Sequence, residues 1–422
     1  MAIVAKPKGL ACPNCGGPVE IRGYAHTLSV VCPGCLTVLD ATNPQLEILQ
    51  KFQGQQRILP RVPLGSRGTF DGTIWEVIGF QIREVTTEDA RYGWSEYLLF
   101  NPYKGFRYLS EYNGHWNYIR VLSALPEKTM ARGKKAFRYQ GKTFLHFDHA
   151  PARTSYVLGE FPWQVVVGES AEVDDFIAPP LMLSSETMAG EITWSLGEYY
   201  TGQQIWKAFK LPGVPNPAIG VFANQPSPMG VRVKSMWTTW LWLTVLLAAM
   251  VFYFEVSAGR HEVFRQSYSF TPGTASAAAF VTPDFDLTGR ASNVEIATST
   301  NLRNDWVYFS FALINETTGQ ARDFGREVSY YTDEGSPHDS VVLPAVPAGK
   351  YYLRVEPEKT AGSAPLNYEI LVRRDVPGFG WFLLAGILLL IPPFIATIRV
   401  FSFESARWRE SDYPPSSSGG DA

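Results

Sequence analysis

Residues 236–254 read MWTTWLWLTVLLAAMVFYF, and residues 379–398 read FGWFLLAGILLLIPPFIATI. Neither stretch contains a charged residue, and each is close to the roughly 20 residues that a helix needs to cross a bilayer. Tryptophan or tyrosine lies near the ends of both stretches, as expected of side chains at the interface between lipid and water. The sequence therefore predicts two transmembrane helices, and the bilayer is the first predicted partner.

The basic residues that flank these stretches predict their orientation. They precede the first stretch or follow the second: Arg232, Lys234, Arg399, Arg407 and Arg409. Because basic segments remain on the cytoplasmic side, we expect both termini in the cytoplasm. Residues 255–376 would then be periplasmic, with the protein in the inner membrane. Residues 1–11 lack an apolar run, so no signal peptide is expected.

The four cysteines of the chain form two C-x2-C pairs near the N-terminus: Cys12, Cys15, Cys32 and Cys35. About 16 residues separate the pairs, which is the spacing of a zinc ribbon. Four thiolates close a tetrahedron around Zn²⁺ and leave no position for water, so we expect one structural zinc ion per chain. Iron or another metal, or a redox dithiol, are the alternatives. Metal-binding thiolates also indicate a reducing compartment, and we assign residues 8–40 to the ribbon.

Residues 60–211 have the pattern of a β domain. Apolar and polar side chains alternate between turn signals such as Asp71-Gly72 and Asn113-Gly114, which predicts short antiparallel strands. Residues 72–75 (GTIW) and 141–144 (GKTF) each open a strand after a turn. This weak repeat favours a cytoplasmic domain of two related halves, residues 60–125 and 135–211, each a small β-barrel.

The segment between the apolar stretches predicts a second β domain. Residues 306–313 alternate clearly, and about seven or eight strands fit residues 255–376, which favours a β-sandwich or jelly roll. Residues 212–235 are rich in proline, glycine and asparagine and predict a linker. Residues 399–422 predict a cytoplasmic tail, disordered from Pro414 onward. The predicted fold class is a mainly β, multi-domain membrane protein.

Composition and motifs give little support to common enzyme classes. A net charge of -3 lacks the basic excess of nucleic-acid binders, so no nucleic-acid partner is expected. Phosphate-binding loops, nucleophile elbows and metalloprotease motifs are missing from the sequence. Glutamates are scattered through the β domain without a pairing that the sequence reveals: Glu96, Glu111, Glu160, Glu169, Glu186, Glu191 and Glu198. We therefore predict no catalytic residue.

One histidine cluster stands out. On a regular strand His146 and Asp148 would share a face, with His149 on the opposite face. The cluster is either a metal or acid–base site, or a hydrogen-bonded surface group.

Aromatic and turn motifs run through the chain: residues 64–68 (LGSRG), 75–80 (WEVIGF), 94–102 (WSEYLLFNP), 108–111 (YLSE), 114–116 (GHW), 159–163 (GEFPW), 168–169 (GE) and 403–413 (FESARWRESDY). These motifs resemble the bacterial family called domain of unknown function 4178. The family has no established catalytic residues. Its members tend to be encoded near phage-shock-type membrane-stress proteins and polyamine-biosynthesis enzymes. The resemblance implies a role in envelope stress, with membrane-stress proteins as partners.

These observations indicate a non-catalytic, membrane-anchored adaptor or sensor. The ribbon and the cytoplasmic β domain would bind one partner. The periplasmic domain, whose residues 349–355 resemble a strand of secreted ligand-binding sandwiches, would bind a component of the envelope. The alternative is an enzyme with a site in the cytoplasmic β domain that acts on a lipid or a polyamine. An oligomeric channel is a third hypothesis, which the uncharged helices support less well.

Overall fold

The structure is a computed structural model that describes residues 8–23, 26–43, 45–51, 57–86, 91–273, 279–332, 334–360 and 363–415. The chain divides into two compact units. Residues 1–233 and 396–422 form the first unit, and residues 234–395 form the second. Residues 416–422, in which we predicted disorder, lie outside the described part.

The first unit is built almost entirely of antiparallel strands. Those before the barrel are β1 (Lys8–Ala11), β2 (Pro18–Ile21), β3 (Ser29–Val31), β4 (Val38–Asp40), β5 (Ile48–Gln50) and β6 (Arg67–Phe70). They are followed by β7 (Thr73–Thr86), β8 (Arg91–Asn101), β9 (Gly105–Tyr112), β10 (His115–Val121), β11 (Glu127–Ala131) and β12 (Lys134–Tyr139). The last are β13 (Lys142–Phe161), β14 (Ser170–Ala178), β15 (Leu181–Met188) and β16 (Glu191–Thr201).

Eight of these strands close into one barrel, in the order β7-β8-β9-β10-β16-β15-β14-β13, with β13 returning to β7. At the closure Gly79 pairs with Gly159. A Cβ on Gly159 would overlap the carbonyl of Ile78, and the φ of Gly159 is +89°, so glycine alone fits there. The prediction of two separate barrels was wrong, because both halves of residues 60–211 contribute strands to this single barrel.

The N-terminal ribbon shares its sheet and its core with the barrel. Strand β3 pairs with the end of β13, and β4 and β5 extend the same sheet. Val31 and Val38 pack with Ile78, Leu98 and Phe161 in one apolar cluster. Burying these side chains together removes apolar surface from water, at roughly 25 cal/mol per Å². The ribbon is therefore a fixed part of the first unit.

A short helix, α1 (Gly202–Phe209), packs against the barrel strands. It covers the face opposite to the apolar cluster of Ile78, Leu98 and Phe161. It begins at a capping box, in which Thr201 and Gln204 satisfy each other's backbone groups, and it ends at Lys210 in the left-handed conformation. Ile205 and Phe209 are buried in the aromatic cluster of this face. Such caps and an apolar face explain why eight residues form a stable helix here.

The two apolar stretches of the sequence lie in two long helices. They are α2 (Gly230–Ser257) and α3 (Gly380–Trp408), and both are long and apolar enough to span a membrane. Each extends beyond the predicted span, α2 mainly at its N-terminal end and α3 at its C-terminal end. No residue of α2 is buried in the protein, which suits a helix whose side chains face lipid.

The second unit contains two packed sheets. Its strands are β17 (His261–Phe270), β18 (Phe280–Val281), β19 (Phe285–Leu287), β20 (Ser292–Thr300), β21 (Asp305–Asn315), β22 (Ala321–Tyr330), β23 (His338–Val346), β24 (Gly349–Glu358) and β25 (Leu366–Arg374). One sheet has the order β17-β25-β20-β23, and the other has β18 and β19 beside β24, then β21 and β22. With β18 and β19 taken as one interrupted edge strand, this is the strand order of a jelly roll.

Candidate metal centre and barrel interior

The four predicted ligands converge on one point. The Sγ atoms of Cys12 and Cys35 are 3.7 Å apart, and those of Cys15 and Cys32 are 3.6 Å apart. All four sulfurs lie within 4.8 Å of one another. Sulfurs placed tetrahedrally at about 2.3 Å from one ion would be about 3.8 Å from each other. The geometry therefore fits a single tetrahedral metal ion.

Both cysteine pairs sit on the same kind of turn. The amide of Gly16 donates to the carbonyl of Cys12 over 2.8 Å, and the amide of Leu36 donates to the carbonyl of Cys32 over 2.9 Å. Gly16 and Leu36 both have positive φ, +73° and +58°. Leucine accepts this conformation at a cost, and its side chain is buried in the core of the unit. The two turns present their thiolates to the same point.

Glu160 of β13 fastens the ribbon to the barrel. Its carboxylate accepts hydrogen bonds from the amides of Arg22 (2.6 Å) and Gly23 (2.8 Å) and from the hydroxyl of Thr27 (2.8 Å). The residue is 2% exposed, and burial raises the pKa of Glu160 although these donors oppose the rise. This glutamate is an architectural residue that holds the ribbon loop.

Charged side chains meet inside the barrel. Arg83 on β7 and Glu186 on β15 form an ion pair of 2.7 Å, although two strands separate β7 from β15 in the sheet. Their pair therefore crosses the interior. Beside it Glu96 accepts hydrogen bonds from the side chains of Gln81 (2.6 Å) and Trp94 (2.7 Å).

The interior carries more acidic than basic groups, and the pKa values reflect this. Burial lowers the pKa of Arg83, but the facing carboxylates of Glu96 and Glu186 outweigh burial and raise it. Burial raises the pKa of Asp175 to about 6, against a hydrogen bond from Ser184. Asp175 therefore takes up its proton at a higher pH than an ordinary aspartate does.

The sequence alone did not show that Arg83, Glu96 and Glu186 meet inside the barrel. Glu96 and Glu186 enter the interior, whereas Glu111 lies on the opposite face with Arg61 as its ion-pair partner at 3.0 Å. Arg83 was not among the predicted site residues. The signal that could have indicated it is a single arginine within the largely apolar strand β7.

The predicted arrangement of the histidine cluster was wrong. A bulge at Phe147 interrupts the pairing of β13 with β14, so His146 and His149 face the same side. Both contact one carboxylate oxygen of Asp174, each at 3.2 Å. Among the described residues, the four cysteines are the one group of three or more whose ligand atoms are close enough to share an ion. Asp174 is therefore the shared partner of both histidines.

The segment after α3 docks at this bulge. The amide of Asp412 donates to the carbonyl of Phe147 over 3.0 Å, between the stretches of β13 that pair with β12 and with β7. The carboxylate of Asp412 lies 3.8 Å from Nδ1 of His146. Burial and this neighbouring carboxylate raise the pKa of Asp148 to about 6. Asp412 is thus attached to the barrel wall.

Arg407 holds the same segment from the other side. It is 1% exposed and donates hydrogen bonds to the carbonyls of Phe222 (3.3 Å), Ala223 and Gln225 (2.7 Å). Arg407 is one of the flanking charges that predict orientation, but its guanidinium is buried in the protein. The segment from Phe222 to Gln225, which the sequence predicts as linker, is therefore a packed part of the first unit.

Comparison with known proteins gives a limited result. The crystal structure of tripeptidyl peptidase 2 is 9% identical with a TM-score of 0.22 and covers 70% of this chain, which spans 20% of that chain. The structure of infectious bursal disease virus, Gt strain, is 13% identical with a TM-score of 0.18 and covers 75% of this chain and 72% of that chain. These TM-scores support no inference. No curated protein matches this chain. Residues 63–202, which hold the strands of the barrel, match the family model described as Domain of unknown function (DUF4178).

Proposed function

We propose that this protein is a non-catalytic adaptor or sensor anchored in the bacterial inner membrane by α2 and α3. The ribbon and barrel would bind a cytoplasmic partner, with phage-shock-type membrane-stress proteins as the first candidates. The jelly roll would bind a component of the periplasm. The four cysteines would hold one structural Zn²⁺, because four thiolates leave it no open position.

The observation that carries this proposal is the return of the chain to the first unit. From Ala396, within the C-terminal half of α3, the chain belongs again to the unit that contains residues 8–233, where Arg407 and Asp412 are bound to the barrel region. Two membrane crossings bring a chain back to its starting side. Both crossings would thus be fixed to one cytoplasmic body, and residues 255–376 would lie outside.

Cysteine labelling tests the orientation. Thr318→Cys lies in an exposed turn of the jelly roll, and Ser405→Cys is exposed on the C-terminal part of α3. We expect a membrane-impermeant maleimide to label Thr318→Cys in cells with a permeable outer membrane and to label Ser405→Cys after lysis alone. The reverse pattern would place the ribbon outside and overturn the assignment.

Partner capture tests the adaptor role. The tagged full chain would be cross-linked in membranes, solubilised in mild detergent and examined by mass spectrometry. Glu160→Gln weakens the attachment of the ribbon, whereas Glu191→Gln makes the same change at an exposed position. We expect a stoichiometric cytoplasmic partner that Glu191→Gln retains and Glu160→Gln loses. Recovery of no partner from either compartment contradicts the proposal.

The interior of the barrel favours one second candidate, an enzyme acting on a lipid or a polyamine. Its polar groups converge, as a site requires, but Arg83, Glu186 and Glu96 are engaged with one another or with Gln81. Native mass spectrometry of the purified full chain separates the candidates. A retained small molecule that Glu186→Gln releases would favour the enzyme over the adaptor.

A further inference from the structure

The jelly roll carries an open trough on the solvent face of its second sheet. The trough has a volume of about 350 Å³, at the lower end of the range for small-molecule sites. Strands β21, β22 and β24 form it. Its lining residues on the solvent face include Tyr308, Ser310, Ala312, Asp323, Gly325 and Arg354.

Small residues create the depression. Ser310 pairs with Gly325 on β22, and Ala312 pairs with Arg354 on β24. The outer faces of exposed sheets usually carry larger polar side chains, so three small neighbours leave a hollow in the middle of this sheet. A glycine inside a strand often marks a bulge, a closely approaching backbone or a ligand. The register around Gly325 is regular, which excludes a bulge.

Gly325 determines how Tyr308 lies. A Cβ on Gly325 would overlap the hydroxyl end of the Tyr308 ring. The ring therefore leans across the neighbouring strand, and 36% of the residue is exposed. Trp306, two residues earlier on the same face of β21, is also 36% exposed. The trough thus has an aromatic wall that continues along the strand.

The remaining lining groups can bind hydroxyls. Arg354 offers guanidinium donors, and its Nη2 lies 3.2 Å from the carboxylate of Glu356 on the same strand. Asp323 offers a second carboxylate on β22, on the other side of β21. Carboxylates accept and guanidinium groups donate hydrogen bonds, and an exposed aromatic ring packs against apolar C–H groups. Pyranose rings present both kinds of surface at once.

A peptide strand is a poorer fit. Peptides commonly bind sheets by pairing their backbone with a free edge, but β21, the central strand of the trough, is paired on both sides, with β22 and β24. At the centre of the trough only side chains are therefore available. A purely apolar ligand such as an acyl chain would leave the charged groups without partners.

We infer that this trough is an oligosaccharide-binding site, with Tyr308 as the stacking platform and Asp323, Arg354 and Glu356 as the hydroxyl-binding groups. The inference deepens the proposed function, because it names the class of envelope component that the jelly roll binds. It rests on that proposal for the location of the ligand and on the trough itself for the binding chemistry.

Binding to defined probes tests the inference. Full-length protein in detergent micelles would be titrated with chitohexaose, cellohexaose and maltohexaose, and with a Gly-Ser hexapeptide as a class control, by isothermal titration calorimetry. We expect saturable binding of at least one oligosaccharide and none of the peptide. Tyr308→Ala should weaken that binding about five- to tenfold. Tyr331→Ala removes a comparably exposed tyrosine outside the trough lining and should bind like the wild type.

Arg354→Ala provides a second test that leaves the aromatic wall intact, and it should also weaken binding. Circular dichroism of each variant verifies that the jelly roll is folded. Failure of all three oligosaccharides to bind, or equal affinity of Tyr308→Ala and the wild type, overturns the inference. Because this titration involves no cytoplasmic partner, its result is independent of the capture experiment, and either proposal can fail without the other.

Discussion

Replacing Arg407 with leucine should release the end of α3 from the barrel region. The guanidinium donates to three backbone carbonyls between Phe222 and Gln225 and to the carboxylate of Glu404 at 3.0 Å. Leucine fills part of the volume but donates no hydrogen bond. The carbonyls would lose their donor in a place where Arg407 is 1% exposed, and water would have to enter to replace it.

The size of the effect follows from these contacts. A hydrogen bond to a charged group contributes roughly 1.5–3 kcal/mol net, and breaking a buried charged network costs about 3–5 kcal/mol. We therefore expect docking of residues 403–413 to weaken by about 3–5 kcal/mol, which corresponds to a factor of roughly 10²–10⁴ in the docking equilibrium.

Hydrogen exchange measures this directly. The amide of Asp412 donates to the carbonyl of Phe147, so its exchange reports on docking. In the full chain we expect Arg407→Leu to speed this exchange by the factor above, or up to the unprotected rate. Arg409→Leu removes the same charge from an exposed position and should stay within about 0.5 kcal/mol of the wild type. Equal protection of the Asp412 amide in the two variants would refute the conclusion that Arg407 holds residues 403–413 in place.

Three further predictions address the metal, the ribbon and the barrel interior. Cys12→Ser should lose the bound metal, measured by elemental analysis of the purified chain, and should lower the thermal midpoint; a full equivalent of metal in this variant contradicts the four-thiolate site. Glu160→Gln should destabilise the first unit by about 2–4 kcal/mol relative to Glu191→Gln in denaturant titrations, because a buried acceptor of three donors is weakened; indistinguishable midpoints would exclude this role. Asp175 has a pKa raised to about 6, so the folded chain binds the extra proton and its stability rises as pH falls from about 7 towards 4. Asp175→Asn should therefore be more stable than the wild type by about 3 kcal/mol at pH 8, with a difference that vanishes near pH 4; a difference that grows on acidification would mean that the sign is wrong.

Local chemistry in the sequence determined several features. The two uncharged stretches anticipated α2 and α3, because membrane-spanning length and composition are properties of a contiguous segment. The C-x2-C spacing anticipated the cysteine cluster, because each pair lies within one turn. Alternation such as that of residues 306–313 anticipated the sheets of the jelly roll, since a strand with one buried face has a period of two residues.

Tertiary structure alone decided the rest. Closure of one barrel depends on Gly79 meeting Gly159, and the interior ion pair depends on Arg83 meeting Glu186. Local periodicity does not identify such distant pairings, because registers that differ by two residues bury the same apolar faces. The bulge at Phe147 reversed the expected sides of the histidines, since one extra residue shifts the alternation of every side chain after it.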